Sequence, residues 1–162
     1  MNSAARLAGF FAAHAVWCVS DGETLIPVLG FETPDGKRQM HRFMADRIEQ
    51  GVQEGQARLA GNPDCATQGV LVYDGFVTLS AGKVDALIVD IRDYGLPSRS
   101  ILMAVPYRHA SSPQGFAVHR PKFLSFAGPE PDYQAVSSAF FEGVDSHDKG
   151  APVWSQHLDD SS

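Results

Sequence analysis

The strongest constraint in this sequence is a succession of β-rich runs joined by connections too short to hold a helix. GVLVYDGFVTL (69–79), VDALIVDIR (84–92), RSILMAVPYR (99–108) and FAVHRPKFLSF (116–126) are rich in β-branched and aromatic residues. Between them lie SAGK, DYGLPS and HASSPQG, all turn-forming stretches. Strands joined by such short Gly/Pro loops form an antiparallel meander. Upstream, TLIPVLGFE (24–32) and KRQMHRF (37–43) flank TPDG and read as a hairpin. Asp74-Gly75 leaves two readings of the first run open: one long kinked strand, or a further tight hairpin.

Three segments carry a helical period. At about 100° per residue, Leu7, Phe10, Phe11, His14, Trp17 and Cys18 share one arc of an N-terminal helix that ends at Ser20-Asp21-Gly22. This bulky arc is expected to face the core. The opposite side, Ala8, Gly9, Ala12, Ala13 and Val16, is small enough to meet a second surface, and offers a route to self-association. In a second helix, Asp46 and Glu49 make an acidic version of a capping box, and Gly61-Asn62-Pro63 is a stop. Gly51 and Gly55 sit on its packing side at about 1 kcal/mol each against alanine, which points to another backbone close by. A third helix, roughly 132–143, is expected to bury Tyr133, Val136, Phe140 and Val144. Residues 1–144 therefore read as one α+β domain. It has an antiparallel sheet of five to seven strands and about three helices packed mainly on one face. Residues 145–162 read as a loose polar tail.

A chain of 162 residues buries a core without disulfides or metals. Its net charge of −6 argues against a whole-surface grip on nucleic acid. Cys18 and Cys65, with no CxxC and no Cys/His ladder, predict a reducing, cytoplasmic setting and no zinc site. The uncharged run from Leu7 to Ser20 is too short to span a bilayer, and with only Arg6 before it makes a poor export signal. There is no GxSxG, HExxH, GxGxxG or Walker loop, so no cofactor is expected.

Charge is unevenly placed. Tyr94 to Pro129 contains no Asp or Glu, while Arg99, Arg108, Arg120 and Lys122 lie within it among Tyr107, His109 and His119. Residues 130–162 hold seven acids against Lys149. The basic stretch either faces solvent, binds an anionic partner, or is covered by the acidic C-terminal segment. Trp154, costly to leave in water, is expected to dock on its own sheet, a neighbouring subunit or a separate partner. Pro106 and Pro121 mark strand ends or bulges, and so either rim a pocket or protect an edge.

Other candidates are weaker. On the 84–92 strand, Asp85 and Asp93 share a face with Leu87, Val89 and Ile91, and Asp90 and Arg92 share the other. Asp90 and Arg92 make either a half-solvated ion pair worth at most about 1 kcal/mol or a functional pair. Asp74, Asp90 and Arg92 together would suit a metal-dependent hydrolase, although arginine is a poor base. His109 and His119 offer an alternative general base. His14 and Cys18, four apart on a helix, lack a third metal ligand. The leading expectation is a non-enzymatic binding or adaptor module, using the 99–122 hairpin for a protein partner or a small anionic ligand. A hydrolase and a structural subunit of a homo-oligomer are the alternatives.

Overall fold

In the computed structural model, which describes residues 1–160, the meander forms as its short connections require. β1 (Val28–Glu32) and β2 (Arg38–Arg42) are the first hairpin, and β3 (Gln68–Leu79), β4 (Gly82–Asp93) and β5 (Arg99–Arg108) follow as antiparallel neighbours. β3 runs unbroken through Asp74-Gly75, paired with β4 from Gln68↔Asp93 to Leu79↔Gly82. The 116–126 run does break. Arg120-Pro121 divides it into β6 (Ala117–His119), which pairs with Tyr107–Arg108, and β7 (Lys122–Ala127), which pairs with Ser100–Ala104. Pro106 lies in the gap between these pairings, where a residue without an N–H is tolerated.

Four helices complete the described residues: α1 (Asn2–Val19), α2 (Ile48–Gly61), α3 (Tyr133–Asp145) and α4 (Gly150–His157). A last short strand, β8 (Leu158–Asp159), runs parallel to β6. The fold is α+β as expected, but the sheet is mixed rather than purely antiparallel, in the order β2-β1-β3-β4-β5-β6-β8 with β7 branching from β5. Val70, Val72, Leu87, Val89, Ile101, Met103 and Val105 face α1, α3 and α4 in the main core. α2 covers part of the other face through Leu59, over Leu29, Phe31, Phe43 and Leu71. Of the two glycines on its packing side, Gly51 meets another backbone as expected, whereas Gly55 meets side chains. A Cβ on Gly51 would lie 2.6 Å from the Phe43 carbonyl oxygen, and one on Gly55 would lie 2.7 Å from Leu71. The Asp46 capping box does not form. The helix starts at Ile48 with Arg47 in the cap position, so Asp46 is one residue too early.

The first helix buries only part of its hydrophobic stripe: Leu7 and Phe11 lie in the core as expected. Its small side is buried: Ala8, Gly9, Ala12, Ala13 and Val16 pack within the core, while Phe10, His14 and Cys18 are half-buried and Trp17 is exposed. Backbone proximity explains this. A Cβ on Gly9 would sit 1.8 Å from the Phe140 carbonyl oxygen, one on Gly143 1.9 Å from that of Arg6, and one on Gly150 2.3 Å from that of Ala13. The small side thus meets α3 and α4 of the same chain and is closed to self-association.

Of the stretch 145–162 expected as a loose tail, residues 145–160 are folded instead, and Ser161 and Ser162 lie outside the described residues. Trp154 of α4 is buried, with its ring edge-on to Phe140 and Phe141 of α3. His147 is buried just before α4 and accepts the Gly150 N–H through Nδ1 at 2.8 Å. Val136, Phe140 and Val144 of α3 are buried as expected, whereas Tyr133 at its first turn is exposed.

Candidate functional site

Twelve-residue β3 and β4 are longer than the helical layer that covers them. Beyond Leu87 the covered face runs on through Asp74, Phe76, Asp85 and Lys83, which the pairings Asp74↔Leu87, Phe76↔Asp85 and Thr78↔Lys83 place on one side. α1 has ended by this point. The β5–β6 loop closes over the far side, and a cleft of about 550 Å³ opens between them. Lys83, Asp85, Arg108, His109, Ser111 and His119 are among its walls, with Phe76 and Ser112 at its edge and Tyr107 in its floor.

Beneath the cleft, buried Tyr107 is bonded to half-buried Asp74. Tyr107 donates its hydroxyl to Asp74 Oδ1 at 2.9 Å. Burial holds the Asp74 carboxyl above the usual carboxylate range, with Asp85 adding to the shift. Burial and the neighbouring Asp74 push the Tyr107 hydroxyl far up, so it stays a donor. On the wall, the Ser111 N–H donates to His109 Nδ1 at 3.1 Å and the Ser111 hydroxyl lies 2.9 Å from the same nitrogen. Nδ1 acts as an acceptor there, which leaves the proton of the neutral ring on Nε2. Arg108 faces back into its own loop, donating to the carbonyls of Gly115 at 2.8 Å and Gln114 at 3.4 Å. It is therefore a positioning residue for the loop that carries His109 and Ser111.

Among known proteins, no family model matches this chain, and no curated protein or solved structure is significantly similar to it.

Of the residues expected to act, the cleft brings together Tyr107, Arg108, His109 and His119. It does not gather the rest. Arg99 starts β5 opposite Asp93, nine residues and roughly 30 Å of strand from Arg108. Arg120 is held by the C-terminal end, donating to the Asp160 carbonyl at 2.9 Å with the Asp160 carboxylate 3.8 Å away. Asp159 stands 3.7 Å from Arg108. Lys122 begins β7 on the other side of the break. The acidic end thus folds back on the basic stretch, as one of the three sequence readings had it. Trp154 is structural.

Asp74, Asp90 and Arg92 are not brought together. Asp74 is in register with Leu87 on the α1 face, whereas Asp90 is in register with Leu71 on the α2 face, so a sheet separates the two carboxylates. Asp90 instead receives a forked pair of bonds from Arg92, 3.0 Å from Nε and 3.3 Å from Nη2, and forms a half-buried ion pair. Among the described residues no group of three or more His, Cys, Asp or Glu side chains is placed to hold a metal. A smaller cavity, about 280 Å³, contains His14, Cys18 and Arg42, with Cys18 Sγ 3.6 Å from His14 Nε2. Burial pushes the Cys18 thiol up, and its place at a helix C-terminus works further against a thiolate. This pair is a poor nucleophile.

Lys83, Ser111 and Ser112 had no distinguishing sequence signal. Ser111 lies two residues after His109 in a serine-rich turn, a spacing that allows local side-chain bonding.

Proposed function

We propose that the chain is a non-enzymatic binding module whose site is this cleft, and that it takes a small anionic ligand. The observation that carries the reading is the convergence of Lys83, His109 and His119 on one concave surface. Ammonium and imidazole N–H groups are donors to phosphate or carboxylate oxygens. Arg108 adds positive charge and keeps the loop in place. Asp85 opposes an anion from one wall, so the fit is to a compact anion seated on the imidazole side. Phe76 gives an apolar surface to a short carbon skeleton.

The test is a titration with inorganic phosphate and with malonate, followed by amide chemical shifts. Saturable shifts confined to residues near 82–85 and 108–119 are expected. Lys83→Ala and His109→Ala should each weaken binding about tenfold, the scale of one charge-assisted hydrogen bond. Arg99→Ala should leave it unchanged. Shifts that never saturate, or that spread to Arg99, would sink the proposal.

A hydrolase is the second reading, favoured by one observation: the Ser111 hydroxyl touches His109 Nδ1. Two residues apart in an exposed turn, the pair is also a local side-chain motif with no catalytic role. Turnover of an activated ester that is lost in both Ser111→Ala and His109→Ala would decide for the enzyme.

A further inference from the structure

The break between β6 and β7 leaves a gap beside the helical layer. β6 pairs with Tyr107–Arg108 and β7 with Ser100–Ala104, and Arg120-Pro121 crosses between them. A crevice of about 260 Å³ opens here between the sheet, α3 and β8. Met103 and Phe123 line it from the sheet, Ser137 and Phe141 from α3, and Leu158 from β8. Met103 and Phe123 are partners in register, so both side chains stand on the face that packs against the helices.

The apolar walls are held in place but do not fill the space. Phe141 packs edge-on against buried Trp154, with ring centroids 5.9 Å apart, and Phe123 stands edge-on to Tyr133 at 4.9 Å. Met103 is 2% exposed and belongs to the main core, yet Phe123 and Leu158 remain 36% and 44% exposed. A preformed apolar concavity open to solvent gains by receiving an apolar group.

A cation stands among these walls. Among the described residues lining the crevice, Arg120 is the single cation. Its Nη2 donates to the Asp160 carbonyl at 2.9 Å, and its Nε lies 3.8 Å from the Asp160 carboxylate. That separation is too long for a hydrogen bond, and the two side chains are 63% and 69% exposed. An ion pair of this kind holds weakly. Asp160 thus shows that a carboxylate can approach Arg120 here, without the bidentate contact that a guanidinium makes with a better placed one.

We propose that this crevice is a second binding site, separate from the anion cleft and independent of it, and that it takes a small monocarboxylate with an apolar chain, such as a short fatty acid. The chain lies against Met103, Phe123, Phe141 and Leu158, and the carboxylate takes Arg120 from Asp160. The two sites select different chemistry. The cleft gathers Lys83, His109 and His119 for a compact anion. The crevice sets a single cation beside apolar walls, which favours an anion that carries a hydrocarbon chain. Its volume is close to the lower end for ligand pockets, about 300 Å³, so a long-chain lipid would not be enclosed.

The experiment is a titration of the full chain with butanoate, hexanoate and octanoate, followed by amide chemical shifts. Saturable shifts confined to residues near 101–104, 120–123, 137–141 and 158–160 are expected. Affinity should rise about fourfold per added methylene. Octanol, which has the chain without the charge, should bind about tenfold more weakly than octanoate. Arg120→Gln should remove that difference, and Asp160→Asn should tighten octanoate by releasing Arg120. Malonate should leave these amides unmoved. Ser137→Phe, which fills the crevice from α3, should abolish binding with an unchanged circular dichroism spectrum. Affinity independent of chain length, octanol bound as tightly as octanoate, or an Arg120→Gln chain that still prefers octanoate would each overturn the proposal. Octanoate binding that survives Ser137→Phe overturns it equally, and the Arg120 variant, at an exposed side chain, decides even where Ser137→Phe does not fold.

Discussion

Gly9→Ala separates local propensity from packing by the sign of its effect. In the interior of an exposed helix, glycine to alanine stabilises by about 1 kcal/mol. At Gly9 the new methyl would lie 1.8 Å from the Phe140 carbonyl oxygen and 2.9 Å from the Val144 nitrogen. Both are backbone atoms, so no rotamer change relieves the contact. Opening 1.8 Å to the 3.0 Å below which real Cβ contacts essentially never fall means moving α1 and α3 apart by more than an ångström. Their crossing is tight on both sides, since Gly143 meets the Arg6 carbonyl in the same way. Separation would loosen Leu7, Phe11, Val136 and Phe140 together. Overpacking a core costs about 1–3 kcal/mol, and a rigid backbone clash belongs at or beyond the upper end. The net loss, after the gain in propensity, should be about 2 kcal/mol. Gly61→Ala, at the last residue of α2 with open space around it, is the control and should be neutral or slightly stabilising. Urea denaturation followed by circular dichroism reads both midpoints. If Gly9→Ala unfolds at the same or a higher urea concentration than the wild type, α1 and α3 do not cross as closely as described.

Trp154 and the paired histidines give two further tests. Trp154→Ala should cost about 3–5 kcal/mol, the range for a buried large aromatic. Trp154→Phe should cost much less, because the indole N–H makes no hydrogen bond among the described residues; equal losses would mean the indole is held by more than packing. Burial lowers the affinity of His14 and His147 for protons, with His147 and Arg42 adding to the effect at His14. A histidine depressed in the folded state leaves the unfolded chain the better proton acceptor below the ordinary value of 6.5. Stability should therefore be full above that value and fall as pH drops beneath it. His147→Asn, whose side-chain oxygen can still accept the Gly150 N–H, should flatten part of the fall, as melting temperatures between pH 7 and pH 5 will show. A melting temperature that does not change over this range would refute the assignment.

The parts of the fold legible in the sequence are those decided by short-range geometry. Connections of four to seven residues leave little choice but an antiparallel meander. Gly51 and Gly55 signalled the approach of Phe43 and Leu71 because mid-helix glycines are costly without such a reason. The orientation of α1 was legible only in part: Leu7 and Phe11 are buried as their stripe implies, but the burial of the small side was not. A hydrophobic stripe ranks residues by bulk, whereas Gly9, Ala12 and Ala13 are buried because they let backbones touch. Nor was α4, an eight-residue helix with glycine and proline in its first turn. It holds through tertiary contacts: Trp154 against α3, and a histidine before its first turn.

The site divides in the same way. Tyr107, Arg108, His109 and His119 were legible because one turn connects the strands that carry them. Lys83 and Asp85 reach the cleft from β4, and their place depends on how far two strands outrun the helices above. Asp74 and Asp90 show how little register is needed to change a function. They look like a carboxylate pair in sequence, yet 74 and 90 have the same parity only along the chain. Across an antiparallel pair in which Asp74 faces Leu87, an odd-numbered β4 position, the even-numbered Asp90 must lie on the other face. Charge is misleading for a related reason. The basic stretch free of acids suggests an open electropositive surface, but Asp159 and Asp160 are folded onto Arg108 and Arg120. What remains to recognise an anion is a few donors whose direction is set by the β5–β6 loop. Affinity there should follow the geometry of that loop, which Arg108 holds through the Gln114 and Gly115 carbonyls, more than the net charge of the hairpin.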